Sequence, residues 1–383
     1  MSSLDDEKGA VLMSESWQEL YMELTDFICK NPEIEITSSM INIPEEKREA
    51  FYTHFNQVRR AFLNDKFSAI INKSRALSES YLQIEKQVID LLGLDSISNS
   101  PLLQSFLCEP AKRLTKEQFD MLFSLLKGKI DIQTFEADSV KKIRFSSHKL
   151  YLNGYLKWLE LSLIKILEAK SILQVSTRPI SNEKDYQQIK ITEKVLAPQE
   201  SKALSLDRDK DIRFTVPDFI IYSDTISKYI SIRSNFRHSM IRADNKSKKR
   251  EWCAIDPMFS LDPKYILVYE ADNAEELSLV ADSVTVCRPD LVIVCVDPED
   301  SIDIKRFNED VLINNKIKSV LGTFVVSMGN MSQLKLENHI EDIHMLEVGL
   351  SAAKLKPIVE VLTDGGEKSN YVGQMETSPK KPS

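Results

Sequence analysis

The chain has 383 residues, 42% of them hydrophobic, with 10 Gly, 14 Pro and 5 Cys, which excludes collagen-like, linker-like and disulfide-scaffold proteins. Lys and Arg total 50 against 58 Asp and Glu, so the net charge is −8. That excludes a uniformly basic nucleic-acid coat but leaves room for a local basic patch. At roughly 150 residues per domain, the length accommodates two or three domains. No apolar run is long enough to span a bilayer, so no membrane partner is expected. The first residues lack the basic start and apolar stretch of a secretion signal. The five Cys (29, 108, 253, 287, 295) are scattered with no CxxC pair, as in a reducing compartment. The expected location is the cytoplasm.

Residues 1–13 are polar and expected to be disordered. A helical domain is expected over 14–146. Ser16 and Glu19 fit a capping box, followed by Trp17, Leu20, Tyr21, Leu24, Phe27 and Ile28 at helical spacing. A second helix starts after Pro44, and a third near 78–92 stops at Gly93. Thr115 and Gln118 fit another capping box.

From 147 to 362 the character changes to α/β. A helix over 148–170 is apolar almost all round, with a thin polar stripe of Asn153, Lys157, Glu160 and Glu168. Strands are expected at 171–176, 212–222, 229–234, 265–270, 291–297 and 320–328. Helices are expected at 240–255, 274–284, 300–311 and 332–362. Strands 265–270 and 291–297 are nearly pure apolar runs, which suits central strands covered on both faces. The alternation implies a mixed central sheet with helical crossovers. Residues 363–383 are expected to be a disordered tail.

The specific catalytic signatures are missing. The sequence has no P-loop, no G-x-G-x-x-G after a strand, no HExxH and no Gly-x-Ser-x-Gly elbow. What remains is a pair of neighbouring strands. Pro217 and Asp218 sit within the expected strand 212–222, where a proline marks an edge or a kink. On the next strand Tyr229, Ser231, Arg233 and Asn235 share one face, so a hairpin would bring Asp218 near Ser231 and Arg233.

Pro-Asp on one strand followed by an acid-x-Lys on the next resembles the core of the PD-(D/E)xK nuclease superfamily, which includes many type II restriction endonucleases. The resemblance spans about 148–300 and leaves the N-terminal half uncovered. It implies a restriction-endonuclease-like α/β domain, a Mg²⁺ cofactor and DNA as substrate. Glu160 takes the place of the family's helix glutamate. Ser231-Ile-Arg233 resembles a variant in which Ser replaces the first acid of the second strand and an acid comes from the following helix, here Asp244 or Glu251. Asp218, Asp244 and Glu251 are then the expected metal ligands, and Asp218, Arg233, Glu251 and Glu160 the catalytic set. Arg233 stands where the family has Lys. It keeps the charge and a two-pronged grip on phosphate, but it cannot trade protons.

Arg237, Arg242, Lys246, Lys248, Lys249 and Arg250 follow directly, six cations against Asp244 and Glu251, a net of +4 in an acidic chain. Such a stretch suits phosphate contacts on DNA. The leading expectation is a Mg²⁺-dependent DNA endonuclease of restriction or defence type, acting as a homodimer or with a defence-system partner protein. The alternative is a catalytically silent DNA-binding or scaffold subunit. Plainer readings stand beside it: the Glu160 stripe facing water, the basic run as a solvated helix face, and Arg233 pairing Asp218 in a structural salt bridge.

Overall fold

A computed structural model of the chain describes residues 16–175, 177–180, 192–195, 197–206, 217–234, 252–254, 265–277, 285–287, 289–297, 319–332 and 343–364. The chain divides into two compact units. One takes Met1–Ser78 and Ser105–Tyr151, the other Glu79–Gln104 and Leu152–Ser383. The division is therefore not one cut near residue 146: the segment 79–104 belongs with the α/β part.

The helices before the sheet are α1 (Trp17–Lys30), α2 (Glu45–Leu92), α3 (Pro101–Cys108), α4 (Pro110–Thr115), α5 (Phe119–Leu126) and α6 (Ile132–Ile166). The Ser16 capping box forms: Ser16 Oγ accepts from Glu19 N at 3.2 Å, and Glu19 Oε2 accepts from Ser16 N at 2.8 Å. The span α2 holds the two helices expected after Pro44, but they meet at a kink at Phe67 (φ −136°, ψ 21°) rather than near 78, and the second is ended by Gly93 at φ +61°. The Thr115 box does not form. The Thr115 hydroxyl instead donates back to the Ala111 carbonyl at 2.6 Å, and the chain continues as a 3₁₀ turn, Lys116–Gln118. Helix α6 begins at Ile132, not 148, because Asp131 Oδ1 accepts from Thr134 N at 2.7 Å and caps it.

In the first unit the core is aromatic. Trp17, Phe62 and Phe135 meet with ring centroids 5.2–5.5 Å apart, and Phe51, Phe55, Phe119 and Phe123 form a second cluster. The buried Arg59 guanidinium closes it, lying over Phe55 and Phe119 and donating twice to the Thr115 carbonyl.

The second unit is built on a mixed eight-stranded sheet. Its strands are β1 (Ala169–Gln174), β2 (Gln199–Glu200), β3 (Phe219–Ser223), β4 (Lys228–Arg233), β5 (Tyr265–Ala271), β6 (Leu291–Val296), β7 (Thr323–Ser327) and β8 (Ile343–Glu347). Their order is β8-β7-β6-β5-β4-β3-β1-β2, parallel across β6, β7 and β8 and antiparallel elsewhere. Every residue of β6, and every residue of β5 except Glu270, is buried, so the two apolar runs are central strands covered on both faces. The fold is thus a helical N-terminal region followed by an α/β domain with a mixed sheet.

Strands β3 and β4 form the expected hairpin, with Phe219 opposite Ile232 and Ile221 opposite Ile230. Its turn at 224–227 holds Ser227 at φ 53°. Pro217 and Asp218 lie just before β3 rather than inside a strand, which leaves the ladder free of a missing donor. The helix expected over 332–362 is overturned. Within it, β8 pairs in parallel with β7, with the Phe324 and His344 rings stacked at 4.7 Å, and helix α8 covers only Lys356–Thr363. Helix α7 (Ala274–Leu277) is the described part of the helix expected at 274–284. Residues 252–254, expected to end a helix, pair as a strand with 285–287. The helix expected at 300–311 lies outside the described residues.

Candidate active site

The second half of α6 is buried almost all round, so Lys157 and Glu160 cannot escape to water. Lys157 is 8% exposed and Glu160 is 0% exposed, which rules out the reading in which their stripe faces solvent. They lie three apart, one helical turn, on one face. Lys157 Nζ donates to Glu160 Oε1 at 2.9 Å and to Ser234 Oγ at 2.9 Å.

Ser234 is the residue that follows β4. Its backbone N and its hydroxyl both donate to Asp218 Oδ2, at 2.5 and 3.0 Å. Asp218 is fully buried, and its own N–H still bonds the Ile232 carbonyl at 3.1 Å, so the ladder fixes where the carboxylate points. The result is a continuous buried chain, Glu160–Lys157–Ser234–Asp218, linking one helix to the rim of the hairpin. Buried charges persist when they are paired and hydrogen-bonded, and here each acid faces the same ammonium directly or through one hydroxyl. Glu160 Oε2 is buried and has no hydrogen-bond partner among the described residues.

Tyr81 of α2 borders this cluster. Its hydroxyl donates to Glu85 Oε1 at 3.2 Å and accepts from Asn99 Nδ2 at 2.7 Å. Burial above all, with the carboxylates of Glu85 and Glu160 adding to it, pushes the phenol far above its ordinary range.

Arg233 serves another place. Its Nε donates to Ser231 Oγ at 2.8 Å, its Nη2 donates to the Leu277 carbonyl, and the guanidinium lies 5.4 Å from the Tyr269 ring centroid. These contacts tie β4 to β5 and α7. The expected neighbourhood of Asp218, Ser231 and Arg233 thus resolves into two groups: Asp218 is held by Ser234, and Ser231 is held by Arg233. A lysine has neither the planar fork nor the stacking surface. Arg233→Lys should therefore lower stability by about 1–3 kcal/mol, the cost of a broken buried hydrogen-bond set, which a shift of the urea midpoint will measure.

The described part of the site contains Asp218, Glu160, Lys157 and Ser234. Asp244 and Glu251, and the basic residues Arg237, Arg242, Lys246, Lys248, Lys249 and Arg250, lie outside the described residues. Lys157 and Ser234 are the members that sequence reasoning missed. The buried Asp297, which follows β6, lies at the same end of the sheet: Tyr265, which starts β5 near the end of β4, stands opposite Val294. Glu270, by contrast, sits toward the other end of β4 and pairs with Lys228 at 2.6 Å.

Among the described residues no group of three His, Cys, Asp or Glu side chains is arranged to hold a metal. Mg²⁺, however, is commonly held by one or two carboxylates, its remaining positions going to water and substrate phosphate. Glu160, one of whose oxygens has no hydrogen-bond partner among the described residues, and Asp218 are the two acids that this hydrogen-bonded cluster brings together. Comparison of the chain with protein-family models, with curated proteins and with solved structures gave no match. Among the described residues no helix is long and apolar enough to cross a membrane.

Proposed function

We propose that the second unit is a Mg²⁺-dependent DNA endonuclease of restriction or defence type. The observation that carries this reading is the buried chain Glu160–Lys157–Ser234–Asp218. It sets a helix glutamate and the aspartate of a Pro-Asp pair around one ammonium at the rim of a β-hairpin. Asp218 and Glu160 would hold the metal, with Asp244 or Glu251 completing the ligands. Bound Mg²⁺ supplies charge compensation for the phosphate and acidifies the attacking water. Ser234 orients Asp218 through two hydrogen bonds to one oxygen. Arg233 acts as a structural clamp. The basic stretch from Arg237 to Arg250 would contact DNA phosphates, the N-terminal helical half would supply target recognition or dimer contacts, and the expected partners besides DNA are a second copy or a defence-system protein.

Supercoiled plasmid incubated with the full chain and Mg²⁺ should be nicked or linearised, and EDTA should stop it. The burial of both acids favours a second reading, a silent DNA-binding or scaffold core. Salt-sensitive DNA binding without Mg²⁺-dependent cutting would select it and remove the first.

A further inference from the structure

We infer that Lys157 is a built-in counterion that holds the place of the divalent cation and is displaced when the cation binds. The inference rests on the nuclease reading only in taking the metal from it. The site carries two buried carboxylates, and its ammonium touches Glu160 Oε1 directly and reaches Asp218 through the Ser234 hydroxyl. The ammonium thus compensates both acids from one place, in contact with Glu160 and one hydroxyl away from Asp218. The second oxygen of Glu160 is buried with no hydrogen-bond partner among the described residues, so the carboxylate has unused donor capacity inside the site.

A divalent ion and Lys157 cannot both take the same carboxylate oxygens at full strength, because the ammonium and the ion repel each other in a poorly screened interior. Binding the metal therefore costs whatever holds the lysine in place. Once released, a flexible four-carbon stem anchored on α6 can carry the ammonium to a phosphate oxygen. The site is then self-compensated without metal and armed with it.

The test titrates MnCl₂ into the full-length wild type and Lys157→Met by calorimetry, with Glu160→Gln as control. Lys157→Met should bind Mn²⁺ roughly tenfold tighter or more, since a tenfold change reflects about 1.4 kcal/mol of removed competition. Glu160→Gln should weaken binding in both backgrounds. In the wild type, saturating Mn²⁺ should speed acetylation of Lys157 by acetic anhydride, read by peptide mass spectrometry, while the exposed Lys30 is unchanged. If Lys157→Met does not fold, the acetylation rate alone decides. Equal or weaker Mn²⁺ affinity in Lys157→Met, or an acetylation rate indifferent to Mn²⁺, overturns the counterion role and leaves the nuclease reading standing. If no form binds Mn²⁺ at Glu160, both fall.

Discussion

Asp218→Asn should reduce Mg²⁺-dependent plasmid cleavage by at least about 10³-fold, equivalent to about 4 kcal/mol of transition-state stabilisation. The substitution is chosen because Asn keeps the shape of the side chain and one carbonyl oxygen, which can still accept the Ser234 N–H that holds the loop before β3. What disappears is the negative charge, the property that a hard divalent cation requires of its ligand. A cleavage loss with the thermal melt and salt-dependent DNA binding kept places Asp218 in the chemistry. Full cleavage by Asp218→Asn would show instead that the carboxylate is only a structural acceptor for Ser234, and the proposed site would be lost with it. Asp218→Ala is the less informative change, because it strands a buried N–H and hydroxyl and adds a stability defect to any catalytic one.

Much of the architecture was legible from local chemistry. The Ser16 box, the β3–β4 hairpin and the fully apolar β6 follow from caps, alternation and burial pattern. The errors have physical causes. Helix α6 was read too short because the shift to a nearly all-apolar composition near 147 was taken as its start, although Ile132, Phe135, Val140 and Ile143 already recur at helical spacing behind the Asp131 cap. Strand β8 was read as helix because a short edge strand is defined by its pairing with β7, which no local pattern reports. The site divides the same way. Asp218 and Glu160 were visible as acids in a recognisable order. Lys157 was not, because a lysine three residues before a glutamate looks the same on a solvated helix face as on a buried one. The discriminating signal was present: the residues around it, Leu156, Trp158, Leu159 and Leu161, are apolar on every other side, so the polar stripe is too narrow for a solvated face. Arg233 was selected from its position after Ser231, yet the next residue, Ser234, is the one that bridges helix and hairpin.

The second large effect concerns stability and separates a paired charge cluster from a set of neighbours. Lys157→Met, in EDTA, should cost about 3–5 kcal/mol, because it leaves the fully buried Glu160 without the ammonium that pairs with it. Glu160→Gln should cost less, since Lys157 keeps Ser234 and, through it, Asp218. The double variant Lys157→Met/Glu160→Gln should recover part of the loss. Residues within one hydrogen-bonded network couple by about 0.5–3 kcal/mol, and the removal of both charges leaves a neutral amide beside a thioether rather than a stranded carboxylate. Urea unfolding followed by tryptophan fluorescence measures all four corners of the cycle, with Trp158 lying one residue from the substituted lysine on α6. The metal-free condition matters, since a ligand that binds only the folded form adds stability in proportion to its occupancy. Returning Mn²⁺ should therefore stabilise Lys157→Met more than the wild type and leave the double variant nearly unmoved. Additive single effects, or a Lys157→Met cost below about 1 kcal/mol where a buried ion pair is expected to cost several, would mean that the ammonium does not hold the two acids together. The chain Glu160–Lys157–Ser234–Asp218 would then be a line of contacts without a shared electrostatic function.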